Sequence, residues 1–145
     1  MIDWQQHYRC LENMYHCAPV NSTLPSQLCM SEHGARVVLA VGAHLWHSAG
    51  GLHGSLYFKG LDDAAFFAAN GIEREFFVLT ARFEVELLAM VTGNQIIADG
   101  RVDRRDGRRI WASSELRNEQ DKLVARGNGL FIVSEIRLTT DVGYA

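Results

Sequence analysis

Gly51-Leu52-His53-Gly54-Ser55-Leu56-Tyr57-Phe58-Lys59-Gly60-Leu61-Asp62-Asp63-Ala64-Ala65-Phe66-Phe67-Ala68-Ala69-Asn70 reads as one helix, apolar on nearly every side. Such a helix belongs in a protein core. Two adjacent carboxylates, Asp62 and Asp63, stand in its middle. An ionised carboxylate in an apolar core costs on the order of several kcal/mol unless it is paired, hydrogen-bonded or solvated by a cleft. Two of them in one place direct the search for chemistry to this helix.

The flanks of the helix have a different period. Upstream, Trp4, Tyr8, Leu11 and Tyr15 follow the i, i+4, i+7 spacing of an amphipathic helix over Asp3–Cys17, with Asp3 as its N-cap. Pro19, Asn21, Ser22 and Pro25 break it. Gln27–His33 and Arg36–Val41 read as strands joined by a tight turn at Gly34, and a polar loop, Gly42–Gly51, leads into the central helix. Downstream the period becomes two. Phe77, Leu79, Ala81, Phe83, Val85 and Leu87 form the apolar side of a strand, with Thr80, Arg82, Glu84 and Glu86 facing the other way. Ile96–Val102, Ile110–Arg117 and Leu123–Leu138 complete four strands, with turns at Thr92-Gly93-Asn94, Asp106-Gly107 and Asn118–Asp121. The order predicts an α+β fold: an antiparallel sheet wrapped around one long helix, with an extra N-terminal helix and linker over 1–24, all in a single domain, 1–145. A helix apolar all round needs more cover than one sheet face gives, which predicts that a second copy supplies the rest.

Composition narrows the function classes. With 145 residues, 48% apolar and 21% charged, the chain can bury one sizeable core. A net charge of −3 argues against nucleic acid. No apolar segment follows Met1-Ile2-Asp3-Trp4 as a leader would, and no run approaches a membrane span, so a cytoplasmic chain without membrane partners is expected. Cys10 and Cys17, seven apart on one helix face, and Cys29 are too few and too scattered for a disulfide framework or zinc knuckle; buried reduced thiols are expected.

His53-Gly54-Ser55 opens the helix. The first N–H groups of a helix lack internal partners and carry the positive end of the macrodipole. Gly54 therefore either makes a sharp entry into the helix or lets a carbonyl approach that becomes an oxyanion when attacked. Asp62 lies eight residues on, roughly 12 Å along the axis. A base must come within about 3 Å of its target, so an Asp62 acting on a carbonyl held at Gly54 must belong to another subunit. Lys59 lies angularly nearer Asp63 than Asp62, leaving Asp62 the freer group. His44, His47 and His53 match no zinc spacing and suit hydrogen bonding around a substrate carbonyl or loop anchoring. Arg104, Arg105, Arg108 and Arg109 form either a solvated turn or an anchor for phosphates.

In their order these residues resemble the hotdog-fold acyl-CoA thioesterases, specifically the phenylacetate-pathway-like (PaaI-like) branch. His53-Gly54 with Asp62 nine residues after the histidine matches its helix motif; Phe77–Phe83 and Val124–Phe131 resemble its next and its terminal strands. The resemblance implies dimers, often paired into tetramers, with active sites at the dimer interface and no cofactor apart from the CoA of the substrate. It implies that Gly54 polarises the thioester carbonyl, that Asp62 of the partner is nucleophile or general base, that His53 positions the carbonyl or sulfur, and that Thr80 orients the water or carboxylate. His47 stands where the branch often has asparagine, Ser55 replaces the second glycine of His-Gly-Gly, and Ala89-Met90 replaces Arg-Pro. Ser55, Asp63 and Arg108 are the expected substrate contacts. Tyr57, Phe58, Phe66 and Phe67 suit an apolar acyl pocket. The competing readings are a non-catalytic acyl-CoA-binding module and an enoyl-thioester hydratase or dehydratase.

Overall fold

The computed structural model describes residues 3–145. Met1 and Ile2, the first residues of the expected domain and of the stretch read for a leader, lie outside the described residues. Helix α1 spans Trp4–Cys17, and the Asp3 carboxylate caps it by accepting from the Gln5 and Gln6 N–H groups. Its inner face carries His7, Cys10, Leu11, Met14 and Tyr15. Trp4, expected on that face, is instead exposed, its ring 4.6 Å from the Arg74 guanidinium. The expected buried thiols are also corrected: only Cys10 is buried. Cys17 ends the helix beside a solvent-open hollow, and Cys29 faces outward between the buried Leu28 and Met30.

Among the described residues six strands form: β1 (Ser26–Ser31), β2 (Gly34–Ala40), β3 (Phe76–Leu87), β4 (Gln95–Asp106), β5 (Arg109–Asn118) and β6 (Leu123–Arg137). They form one antiparallel sheet in the order β1-β2-β4-β5-β6-β3. Gly107, at φ 59°, closes the β4–β5 hairpin at the expected Asp106-Gly107 turn. The β1–β2 turn falls one step earlier than expected, at Glu32-His33, and Gly34 opens β2 at φ 137°. A Cβ there would sit 1.9 Å from the Gly100 carbonyl oxygen, so two adjacent backbones need this glycine.

Helix α2 (Gly54–Gly71) crosses the inner face of the sheet and buries Leu61, Ala64, Ala65, Ala68 and Ala69. It begins three residues after the expected Gly51, because His53 caps it and Leu52 is engaged in a bridge with Trp46. It lies close against the sheet at Gly100 of β4, where a Cβ would lie 2.1 Å from the Ala64 carbonyl oxygen. The Ser114 hydroxyl of β5 donates to the Leu61 carbonyl oxygen at 2.7 Å. The sheet leaves a stripe of α2 uncovered, with Ser55 exposed, Phe58 43% exposed and Asp62 half-buried.

The expected side assignment along β3 fails before a bulge and holds after it for Phe83 and Val85. Ala81 is an extra residue opposite β6: Thr80 pairs with Phe131 and Arg82 with Leu130. Val78 and Thr80 therefore face the helix before the bulge, and Phe83 and Val85 turn to the core after it. Leu79 and Leu87, expected inside, are 47% and 54% exposed. Among the described residues, no helix is long and apolar enough to cross a membrane.

Candidate active site

Asp62 sits at mid-helix on the uncovered stripe of α2. The Thr80 hydroxyl, brought inward by the β3 bulge, donates to Asp62 Oδ1 at 3.0 Å. Burial pushes the Asp62 carboxyl up to about 6; the Thr80 hydrogen bond pulls it down, the neighbouring Asp63 pushes it up, and Lys59 pulls it down. A carboxyl in that range is ionised at neutral pH yet basic enough to take a proton.

Asp63 is committed elsewhere, as the angular reading of the helix expected. Lys59 Nζ donates to its Oδ2 at 2.6 Å, and both side chains are more than four-fifths buried. Burial pushes the Asp63 carboxyl up, against the pull of Lys59. Behind the pair lies Tyr15 of α1, whose buried hydroxyl closes no hydrogen bond among the described residues and is pushed up by burial to about 12.

Asp62, Asp63 and Thr80 open into a pocket of about 810 Å³. Phe66 and Phe67 of α2 with Phe77 and Leu79 of β3 form one wall. The opposite wall comes from the two ends of the chain: Met14 and Cys17 of α1, Val20 and Asn21 of the following 3-10 turn, and Thr140–Gly143. Gly143, at φ 84°, seats that tail on α1, where a Cβ would be 3.1 Å from the Cys17 Cβ. Sequence reasoning placed Phe66 and Phe67 here but missed the terminal wall, since nothing local in Val20 or Val142 marks it. Of the other expected lining residues, Phe58 stacks edge-on against Phe83 and Tyr57 belongs to a second hollow.

That hollow, about 330 Å³, lies at the start of α2 and is lined by His47, Leu52, Gly54, Tyr57, Leu87, Leu88, Ala89 and Met90. It shares no residue with the Asp62 pocket. Tyr57 braces it by donating to the Ala89 carbonyl and accepting from the Val91 N–H. The Ser55 N–H is taken by His53 Nδ1 and the Leu56 N–H by the His53 carbonyl. Among the described residues this leaves the Gly54 N–H free. A Cβ at Gly54 would meet only Leu87 Cδ1, at 3.4 Å, so its approach is open. His53 Nδ1 accepts from Ser55 and His47 Nδ1 accepts from the Ala49 N–H. Each neutral imidazole therefore carries its proton on Nε2, as a donor. The Ser55 hydroxyl lies 2.8 Å from His53 Nδ1.

The expected residues thus fall into two groups along one helix: Gly54 and Ser55 with His53 and His47 of the preceding loop at its start, Asp62 and Asp63 with Thr80 of β3 at its middle. Arg108 joins neither. Its guanidinium donates twice to the Val133 carbonyl, at 3.0 and 2.7 Å, and lines neither pocket. Nearby, Arg105 pairs with Glu73 and Arg104 stacks on Trp111.

No family model matches the sequence, and no curated protein matches it either. Solved structures do. The PaaI protein from the phenylacetic acid degradation operon of E. coli aligns with a TM-score of 0.84 at 20% identity, over 93% of this chain and 98% of that one. A thioesterase family protein from Silicibacter pomeroyi gives 0.79 at 19% identity, over 91% and 100% of the two chains. A thioesterase from Haemophilus influenzae gives 0.75 at 15%, over 84% and 87%. At such identities the likeness is one of fold. The chain has the hotdog fold, a sheet wrapped around a central helix, with the N-terminal helix added.

Proposed function

We propose that this protein hydrolyses an acyl-CoA thioester to the free acid and CoA. The observation that carries the reading is Asp62, a half-buried carboxyl raised to about 6, held by Thr80 at an apolar pocket in a fold shared with thioesterases. The thioester carbonyl sits at the start of one protomer's α2, where the Gly54 N–H donates to its oxygen and the Nε2–H of His47 or His53 adds a second donor. Asp62 of the partner acts there as nucleophile or general base, since about 12 Å of helix separates it from Gly54 of its own chain. As base it takes a proton from water while the water oxygen bonds to the carbonyl carbon. The tetrahedral intermediate then expels the CoA thiolate, which takes up that proton. As nucleophile it forms a mixed anhydride that water opens, with the same products.

The Asp62 pocket suits the acyl group rather than the nucleotide. Its lining is largely apolar, it holds Asp62, Asp63 and Asp141, and its one cation, Lys59, is paired. A phosphate would be repelled there. An Arg108 contact with the CoA phosphates would have to come from a different protomer. The homodimer itself is supported by the uncovered stripe of α2 and by β3, which forms an edge of the sheet.

The test is free-thiol release from short, medium, long-chain and aryl acyl-CoAs, with Asp62→Ala alongside. Turnover by the wild type and none by the variant is expected. Full activity in the variant would refute the role of Asp62, whereas tight binding without turnover across the panel would identify a binding module. Hydration of crotonyl-CoA without thiol release would identify a hydratase. After a single turnover in ¹⁸O water, label found in Asp62 identifies the nucleophilic route with water attacking the aspartyl carbonyl of the anhydride.

A further inference from the structure

Asp62 is the second of three charged residues within five positions, and the other two are already joined. Lys59 Nζ lies 2.6 Å from Asp63 Oδ2, one helical turn apart, and only 16% and 18% of the two side chains reach solvent. Salt screens such a pair poorly. The charged and titratable groups around Asp62 are few: Lys59 and Asp63 from α2, Cys17 from α1 and Asp141 from the C-terminal 3-10 turn line the same pocket, Thr80 of β3 donates to it, and Tyr15 of α1 stands beside Asp63. Lys59 is the one cation among them, and its place over the Tyr15 ring, 5.8 Å from the centroid, helps to hold it against Asp63.

We propose that Lys59 and Asp63 are positioning residues that act through Asp62: the Lys59 ammonium keeps Asp63 ionised and so makes Asp62 the one carboxyl of the adjacent pair that takes and releases a proton. The proposal rests on Asp62 being the reacting carboxylate. The reason is electrostatic. Two neighbouring carboxyls in a half-buried site share one proton between them, because the second ionisation is opposed by the first charge. A cation fixed on one of them removes that ambiguity, and the proton then belongs to the other. Lys59 thereby assigns Asp63 a charge and leaves Asp62 the chemistry.

The test reads the titration of Asp62 directly, by ¹³C NMR of the carboxyl carbon, next to the acid limb of kcat/KM. Lys59→Met leaves the two carboxyls to share a proton, so the Asp62 carboxyl carbon is expected to titrate in two steps, the upper about one pH unit above the wild-type midpoint. Asp63→Asn removes that charge and frees the lysine, and is expected to move it down by a similar amount. The double variant is expected to return it close to the wild-type position, and Lys59→Arg to leave it there. A purely structural pair would not give shifts of opposite sign. Shifts of the same sign in the two single variants, or none in either, would overturn the proposal. If Lys59→Met does not fold, Asp63→Asn and Lys59→Arg still decide, a downward shift with an unchanged one supporting it and any other pattern overturning it. The NMR titration needs no turnover, so failure of the pair and failure of the thioesterase reading are separable.

Discussion

Asp62 carries opposite consequences for stability and for reaction, and both follow from its burial. Folding raises its carboxyl from an ordinary 3.8 to about 6, so the folded state binds the proton more tightly than the unfolded one. The stability it contributes is complete below about pH 3.8 and is lost as pH rises through about 6. Asp62→Asn is therefore expected to melt higher than the wild type at pH 7, with the difference gone at pH 3.5, in paired thermal scans. The same substitution should lower kcat by about a thousandfold or more, as loss of a base or nucleophile does. In the wild type, activity should fall on the acid side with a midpoint near 6, because the carboxylate must be ionised to act. Thr80 donates to that carboxylate and pulls its titration down, so Thr80→Val should move the midpoint upward. A midpoint that stayed in place would show that the hydroxyl does not touch the working carboxylate.

At the scale of elements, the site depends on how closely α2 lies against the sheet. Gly100 lets β4 pass under Ala64 with no side chain between them. Gly100→Ala would put a methyl group 2.1 Å from a main-chain oxygen that cannot swing aside. The expected cost is about 3 kcal/mol, the upper end for an overpacked core, measurable by urea unfolding; a loss below about 0.5 kcal/mol would mean that α2 shifts without penalty. The β3 bulge is the other controlling device. A period-two pattern assigns sides correctly only while strand registers stay in step, and one unpaired residue reverses it. Ala81 has no composition that marks it as extra, so periodicity alone turns Thr80 outward, and only the resemblance of the strand puts it beside the carboxylate it meets in the fold.

At the scale of the whole molecule, the two halves of the proposed site open on separate hollows of one chain, and a two-fold axis would bring them together. Mixing makes this testable without a structure of the assembly. Gly54→Val should block the oxyanion position and Asp62→Asn the carboxylate, each homodimer being inactive. Refolded together in equal amounts, half of the dimers are mixed, and each mixed dimer has one intact site of two. Recovery of about a quarter of wild-type activity is expected. No recovery, with mixed dimers demonstrated by mass spectrometry, would place Gly54 and Asp62 in the same protomer's site. The chain ends also act at this scale. His7 of α1 lies 2.7 Å from the Tyr144 hydroxyl and 3.0 Å from the Asn70 carbonyl, tying α1 and the C-terminal tail to the end of α2, and both contribute to the wall opposite Asp62.

The sequence by itself determined what is local or periodic: the capped first helix, the long apolar α2 with His53 at its start, the Asp106-Gly107 hairpin, and the Lys59–Asp63 pair set by helical spacing. Each follows from neighbours a few positions apart, whose geometry the chain fixes on its own. Only the tertiary structure decided which way Thr80 points, that Trp4 and Cys17 meet solvent, and that residues near 20 and 142 face each other across the Asp62 pocket. Those depend on pairings between segments far apart along the chain, and on one unpaired residue in a β-ladder, for which no short stretch of sequence carries a signal.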